Sequence, residues 1–429
     1  MIDFRNQKRG FGFFDSDFSL LIFSKKYDII YIEKIIGGYI MQLTDEQTRA
    51  IDIAVDRYKN QKKYMVISGW AGCGKSTIIK YIIAALPDID PEIDVVYSAI
   101  TGKACEVMKR KGNSNVSTLH KLLYKTILLP NGSYKRIVKE SIEFKVVIVD
   151  ECSMVPKDML EILGRLAPFV IFLGDDAQLP PIYKEDDNHL LDNPHIRLTK
   201  IMRQEEGNGI IDVATAIREG RPFYHMSSND VKILDKKDLN EGMLEWADII
   251  ICATNATRRS LNQSVRRVKG MEGEIAEGEK IICLRNDWDT LGDNDSPLIN
   301  GTIGYATNIF PTKIYLPPIY GGTADMYNLT FTSEVNEEYS NLTIDKSMFV
   351  SEVPFVDNKT KYKIMHSRFK DSIPNEFTYG YCITAHKAQG SQWNKVLVYE
   401  EDFPFAKEEH KRWLYTACTR AIDKLVILH

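Results

Sequence analysis

From residue 64 onward, short apolar runs alternate with stretches in helical spacing. The runs Met65-Val-Ile67, Asp94-Val-Val-Tyr-Ser98, Lys145-Val-Val-Ile-Val149 and Phe169-Val-Ile-Phe-Leu173 are rich in β-branched residues and have the length of strands. That alternation predicts a parallel sheet wrapped by helices. A second series follows in Asp248-Ile-Ile-Ile-Cys-Ala253, Lys395-Val-Leu-Val-Tyr399 and Lys424-Leu-Val-Ile-Leu428, with helical spacing over 408–421. The chain therefore reads as α/β with two such units, the first at 41–195 and the second at 196–273 and 377–429. Residues 274–376 between them are rich in Gly, Pro, Thr, Asn and Tyr, with short alternating strands, and are expected to form a β-rich, small-barrel-like insertion. In the first unit, Asn131-Gly132 between two extended runs predicts a hairpin over 127–138.

The chemistry is densest at Gly69-Trp-Ala-Gly-Cys-Gly-Lys-Ser76, between the Met65 run and the helix-like Ile78–Leu86 stretch. This is a complete phosphate-binding loop in its strand–loop–helix setting. Its glycines let successive N–H groups turn inward around phosphates, Lys75 adds a point charge at the β/γ end, and the Ser76 hydroxyl can ligand Mg²⁺. Asp150 and Glu151 end the Val146–Val149 run, so both carboxylates emerge at the carboxyl edge of a strand. There Asp150 can hold hydrated Mg²⁺, and Glu151 can orient and deprotonate an attacking water. A second strand end, Gly174-Asp-Asp-Ala-Gln178-Leu-Pro-Pro181, offers Gln178 as a polar sensor of a γ-phosphate.

Composition narrows this picture little. The 429 residues suffice for two to four domains, and 44% hydrophobic content is ordinary for a globular chain. With 55 Lys+Arg against 59 Asp+Glu the net charge is −4, so any nucleic-acid footprint is a local groove and not a basic field. The seven cysteines are odd in number and lack a Cys-x-x-Cys pair, which points to reduced thiols, with neither disulfides nor structural zinc. No apolar stretch approaches the length of a membrane span, and no membrane partner is expected. Gly37-Gly-Tyr-Ile-Met41 can be encoded by a ribosome-binding sequence, a spacer and a start codon. Met41 is therefore read as a start, with residues 1–40 a translated leader or an N-terminal arm.

Six segments, in order, resemble the helicase motifs of superfamily 1. They are Gly69–Thr77, Asp150-Glu-Cys-Ser-Met154, Gly174–Pro181, Leu198-Thr-Lys-Ile-Met-Arg-Gln204, Thr384-Ala-His-Lys-Ala-Gln-Gly390 and Tyr415-Thr-Ala-Cys-Thr-Arg420. The Gly-Asp-x-x-Gln-Leu-Pro and His-Lys-Ala-Gln-Gly variants are most similar to the RecD and phage Dda branch, superfamily 1B. The resemblance implies two RecA-like domains with ATP in the cleft between them, Mg²⁺ as cofactor, and 5′-to-3′ movement along single-stranded DNA with unwinding of tailed duplexes. It implies Gln47 as the reader of adenine, and Gly69, Gly72, Cys73, Gly74, Lys75, Ser76, Thr77 and Gly390 around ATP. Ser76 and Asp150 would hold the metal, with Lys75, Glu151, Gln178, Arg203 and Arg420 in hydrolysis, the two arginines reaching across from the second domain. Thr101, Lys103, Thr118, His120, Thr254, Asn255, His386 and Lys387 match positions that touch the strand; such groups position phosphates and carry no sequence code. The 127–138 hairpin stands where relatives carry a separating pin, with Tyr134 offering a stacking face. Gln392 stands where many relatives carry Glu, which leaves the ribose contact open.

These features imply a cytoplasmic protein of a bacterial cell or phage-infected host, with a single-strand-binding protein or replication proteins as partners. Three other readings stay open on sequence: an RNA helicase of the same superfamily, a non-catalytic nucleic-acid-binding subunit, and a small-molecule P-loop kinase. The second leaves the hydrolytic residues without purpose. The third leaves His386, Gln389 and Arg420 unexplained.

Overall fold

The computed structural model describes residues 43–429 apart from 111, 129–133, 181–187, 201–207, 294–295, 366, 368, 370–371 and 403–405, together with the backbone of 20–21, 33–36 and 39–41. Those three N-terminal pieces pair with one another as an antiparallel sheet. Arg203 and the Asn131-Gly132 tip lie outside the described residues, as do the side chains of Lys103 and Tyr134.

The apolar runs form two parallel sheets. In the first, the order from one edge is Ile196–Leu198, Tyr64–Gly69, Phe169–Gly174, Val146–Val149, Val95–Ala99 and Val116–Thr118. All neighbours are parallel. Val146 to Val149 are each 0% exposed, because helices cover both faces of a central strand. The two faces carry separate cores, one with Ile78, Ile82, Phe169 and Ala54, the other with Leu119, Leu123, Leu163 and Phe172. The Asp45–Lys59 helix on the first face opens with a reciprocal cap, in which Thr44 Oγ1 accepts from Gln47 N–H and the Gln47 side chain accepts from Thr44 N–H.

The second sheet runs Val231–Leu234, Ala421–Leu428, Trp393–Tyr399, Ile249–Cys252 and Cys382–Thr384, again wholly parallel. Its core centres on the Gly209–Glu219 and Lys407–Cys418 helices, which pack Val213, Ala214 and Ile217 with Trp413, Leu414 and Ala417.

The insertion is antiparallel, in the order Glu338–Asp345, Thr323–Ser333, Ile303–Tyr315, Glu279–Cys283 and Phe377–Tyr379. A bridge from Ile344 to Asn375 brings its two edges back together, giving the curled, barrel-like form. A buried ion pair of Lys280 with Glu334 (2.7 Å), whose carboxylate also accepts from the Trp393 indole, ties it to the second sheet.

The edges of these units differ from the sequence expectation. Ile196–Leu198 pairs with the Tyr64–Gly69 strand, so it belongs to the first sheet and not after a boundary at 195. Phe377–Tyr379 pairs with Glu279–Cys283 and so closes the insertion rather than opening the last segment. Each is three residues long, too short for periodicity to assign. The hairpin pairs Tyr124–Leu128 with Tyr134–Val138, beginning three residues before the expected 127. No helix among the described residues is long and apolar enough to cross a membrane, and all seven cysteines are buried.

Candidate nucleotide site and nucleic-acid track

The Tyr64–Gly69 strand passes into the Lys75–Ala85 helix through a loop whose tight path needs glycine. Gly72 and Gly74 hold φ of 81° and 82°, the left-handed region, and a Cβ on Gly69 would stand 2.6 Å from Cys73 Sγ. No side chain caps the helix, whose first turn carries Ser76 and Thr77, with Thr77 N–H donating to Gly74 O at 2.9 Å. Lys75 Nζ donates to the carbonyls of Gly69 and Trp70, the latter at 3.1 Å. Burial would lower the Lys75 pKa, but the nearby Asp175, Cys73, Glu151 and Asp150 outweigh it and the net shift is upward, keeping the charge. Gln47 Nε2 donates to Cys73 O at 3.4 Å, so the capping glutamine also touches the loop.

Asp150 and Glu151 follow the Val146–Val149 strand, two strands away from the loop strand. Asp150 Oδ1 accepts from Glu151 N–H at 2.9 Å. Glu151 sits at φ 51°, an uncommon left-handed position for a side chain of this size, of the kind that clusters at functional sites. Its pKa is raised, first by burial, with Arg420 acting in the opposite direction. Arg420 comes from the second sheet's side, where the Lys407–Cys418 helix turns into the Ala421–Leu428 strand. It is 2% exposed, and its Nη1 lies 3.9 Å from Glu151 Oε1. Carbonyls of Thr416 (3.0 Å) and Ser391 (3.4 Å) and the Thr419 hydroxyl (3.1 Å) fix the guanidinium in that pose.

Further contacts cross the cleft. Tyr415 Oη accepts from Ala71 N–H of the phosphate loop at 2.9 Å and donates to Asp175 Oδ2 at 2.8 Å. Burial first, and then the Asp175 charge, push its pKa far up, so the phenol keeps the proton it donates. Leu179 is held from both sides, its N–H by Thr416 Oγ1 (2.8 Å) and its carbonyl by Gln389 Nε2 (2.6 Å). Gln178, buried beside them, has its Nε2 3.5 Å from Asp175 Oδ2. A Cβ on Gly390 would lie 3.4 Å from Thr101 Oγ1, so this segment of the second domain abuts the first there. Asp175, Tyr415 and Thr416 stand inside the motif segments but were not singled out by sequence. Their pairing across the cleft gives no local signal.

The track residues fall in pairs at carboxyl ends of adjacent strands. Thr101 and Lys103 follow Val95–Ala99, and Thr118 and His120 follow Val116–Thr118. Thr254 and Asn255 follow Ile249–Cys252, and His386 and Lys387 follow Cys382–Thr384. Thr101, Thr118 and Thr254 each accept from a helix N–H three residues on, the geometry of N-caps. Asn255 is exposed, whereas the Thr254 hydroxyl donates to Glu401 at 2.8 Å. Burial lowers the pKa of both His386 and Lys387, and Lys387 Nζ donates to Asn300 of the insertion. His120 stacks on Tyr124, the first residue of the hairpin.

Two parallel sheets that meet over a phosphate loop, with an arginine of one beside the strand-end glutamate of the other, define a two-domain P-loop protein of RecA-like architecture. Residues 42–238 match the AAA domain family, and residues 379–428 match the UvrD-like helicase C-terminal domain family. The chain is 24% identical to the ATP-dependent RecD2 DNA helicase of Deinococcus radiodurans over 409 residues, covering 89% of this chain and 48% of that protein. It is 28% identical to the ATP-dependent DNA helicase Dda of Enterobacteria phage T4 over 198 residues, covering 42% and 44%. The crystal structure of a Bacteroides Pif1 helicase with ADP-AlF3 and single-stranded DNA aligns over 90% of this chain and 92% of that one, at 18% identity and a TM-score of 0.48. The chain thus carries an AAA domain followed by a UvrD-like helicase C-terminal domain, and it is similar to superfamily 1B helicases such as RecD2 and Dda. It spans less than half the length of those two relatives.

Proposed function

We propose that this chain is an ATP- and Mg²⁺-dependent translocase that moves 5′ to 3′ on single-stranded DNA and unwinds tailed duplexes. The observation that carries this reading is the approach of Arg420 to Glu151, which makes one site out of two domains. In it, the loop N–H groups and Lys75 hold the β- and γ-phosphates while Gln47 lies against the loop for the adenine. Ser76 and Asp150 supply only oxygen donors, the set that suits Mg²⁺ sharing its remaining positions with phosphate and water. Among the described residues no cluster of His, Cys, Asp or Glu could hold a metal by itself, so the ion is expected to arrive with the nucleotide. Bound there, it would neutralise charge on the β- and γ-oxygens.

Glu151 orients the attacking water and takes its proton, and Gln178 reads the γ-phosphate. Arg420, with Arg203 in the same role, stabilises the charge that develops on the transferred group. Because Arg420 is seated by carbonyls of the second domain, turnover alters how that domain sits on the first. The Thr101–Lys103 and Thr118–His120 pairs then grip the strand backbone on one side, and the Thr254–Asn255 and His386–Lys387 pairs on the other. Opening and closing of the cleft moves one grip relative to the other.

The test is ATP hydrolysis with no nucleic acid, with single-stranded DNA and with single-stranded RNA, alongside unwinding of 5′- and 3′-tailed duplexes. Stimulation by DNA above RNA and unwinding of the 5′-tailed substrate alone are expected. Equal stimulation by RNA moves the reading to an RNA helicase, and no hydrolysis under any condition removes it. The hairpin serves as the strand-separating pin in this reading. Replacing 128–136 by a short Gly-Ser turn should leave DNA-stimulated hydrolysis intact and collapse unwinding, since base stacking on Tyr134 is worth roughly 1–3 kcal/mol. Unwinding at the original rate would place the pin elsewhere.

A further inference from the structure

The second residue of the phosphate loop is a tryptophan, and its ring is covered from across the cleft. Arg218, in the last turn of the Gly209–Glu219 helix, places its guanidinium carbon 3.6 Å from the Trp70 ring centroid. The Arg218 side chain is 8% exposed. One end-nitrogen, Nη2, donates to the neighbouring Glu219 at 3.2 Å, while Nη1 is buried with no hydrogen-bond partner among the described residues. An arginine kept for hydrogen bonding would not leave a buried donor unmet. What it does make is a close contact over an aromatic face with its own side chain nearly out of solvent, and desolvation strengthens a cation–ring attraction.

The backbone of Trp70 matters to the loop. Its carbonyl accepts from Lys75 Nζ at 3.1 Å and from Cys73 N–H at 3.2 Å. The next residue, Ala71, gives its N–H to Tyr415 of the Lys407–Cys418 helix. That helix and the Arg218 helix share one core through Ile217, Val213, Trp413 and Leu414, and Ala71 packs against the same core. The second domain thus presents a rigid helix pair that holds the loop at two adjacent residues, one by a ring and one by a backbone hydrogen bond. The same Lys407–Cys418 helix leads into Arg420.

We propose that Arg218 is a positioning residue for ATP turnover, acting through Trp70 to set the phosphate loop against the domain that carries Arg420. This rests on the ATPase reading above. Its chemical expectation is specific. ATP binds mainly to the first domain, so loss of the stack should spare affinity, whereas turnover needs loop and arginine in register and should fall.

The experiment measures DNA-stimulated kcat and KM, and the affinity of a fluorescent non-hydrolysable ATP analogue, for the full chain and four variants. These are Arg218→Ala, Trp70→Ala, the double Arg218→Ala/Trp70→Ala, and Trp70→Phe, which keeps a ring under the guanidinium. Each alanine variant should lose kcat by about ten- to thirtyfold, the size of one desolvated cation–ring contact, with analogue affinity little changed. The double variant should lose no more than either single one, because both remove the same contact. Trp70→Phe should recover most of the lost turnover, and it also serves if the alanine variants fold poorly. Unchanged kcat in Arg218→Ala, losses that multiply in the double variant, or a Trp70→Phe as impaired as Trp70→Ala would each overturn the proposal. Absence of hydrolysis in the unmutated chain would instead defeat the ATPase reading.

Discussion

Where the Tyr64–Gly69 strand enters its helix, the chain supplies glycines, a lysine and a helix start with no side-chain cap. Where the Ile249–Cys252 strand enters the Asn255–Val268 helix, the chain supplies the anion itself. The Glu401 carboxylate accepts from Ala253 N–H (2.6 Å), Thr254 N–H (2.9 Å), the Thr254 hydroxyl (2.8 Å) and the Thr257 hydroxyl. Burial pushes the Glu401 pKa up, but these hydrogen bonds outweigh it and the net shift is downward. Both turns exploit the positive end of a helix. The difference is who fills it: at the second turn a carboxylate of the chain itself closes the helix start, and at the first no side chain does. On the proposed reading, that contrast makes the two turns respond oppositely to mutation.

The largest effect expected from the contrast is at the first turn. Lys75→Ala should lower kcat/KM for ATP by about a hundred- to a thousandfold, the usual consequence of losing a donor to transition-state charge. Its denaturation midpoint should barely move. If the variant unfolds while retaining nucleotide use, the first turn is structural after all. The opposite profile is expected at the second turn. Glu401→Gln should cost about 1–2 kcal/mol of stability, modest because the carboxylate is only partly buried, with the KM for ATP little altered.

The pH profile sharpens this. A carboxylate whose folded pKa is depressed contributes stability that is full above the ordinary glutamate range and is lost as pH falls through the lower folded value. Urea melts from neutral pH downward should therefore show the native chain converging on Glu401→Gln at acid pH. A constant gap between the two curves would mean that the hydrogen bonds do not depend on the charge.

How much of this was legible follows from the range of each contact. The phosphate loop, Asp150 and Glu151, and the strands that carry them are local patterns, readable because glycine spacing and apolar runs report on neighbours in sequence. Arg420 became legible only through resemblance, since nothing near it says that it meets Glu151. The Tyr415 contacts with Ala71 and Asp175 join residues 344 and 240 positions apart, beyond any periodic signal. Glu401 looks like a strand-end charge beside Glu400, and Arg218 like an ordinary basic residue in the last turn of a helix ended by Gly220. Only the fold reveals that each closes on a loop elsewhere.

If ATP is turned over in a cleft that both domains build, Arg420 is the residue that tests it most directly. With saturating single-stranded DNA, Arg420→Ala should lose on the order of a thousandfold in kcat, as for an arginine that stabilises phosphoryl transfer, while analogue affinity stays within a few fold. Native turnover in that variant would contradict a shared site and leave the second domain without a part in hydrolysis.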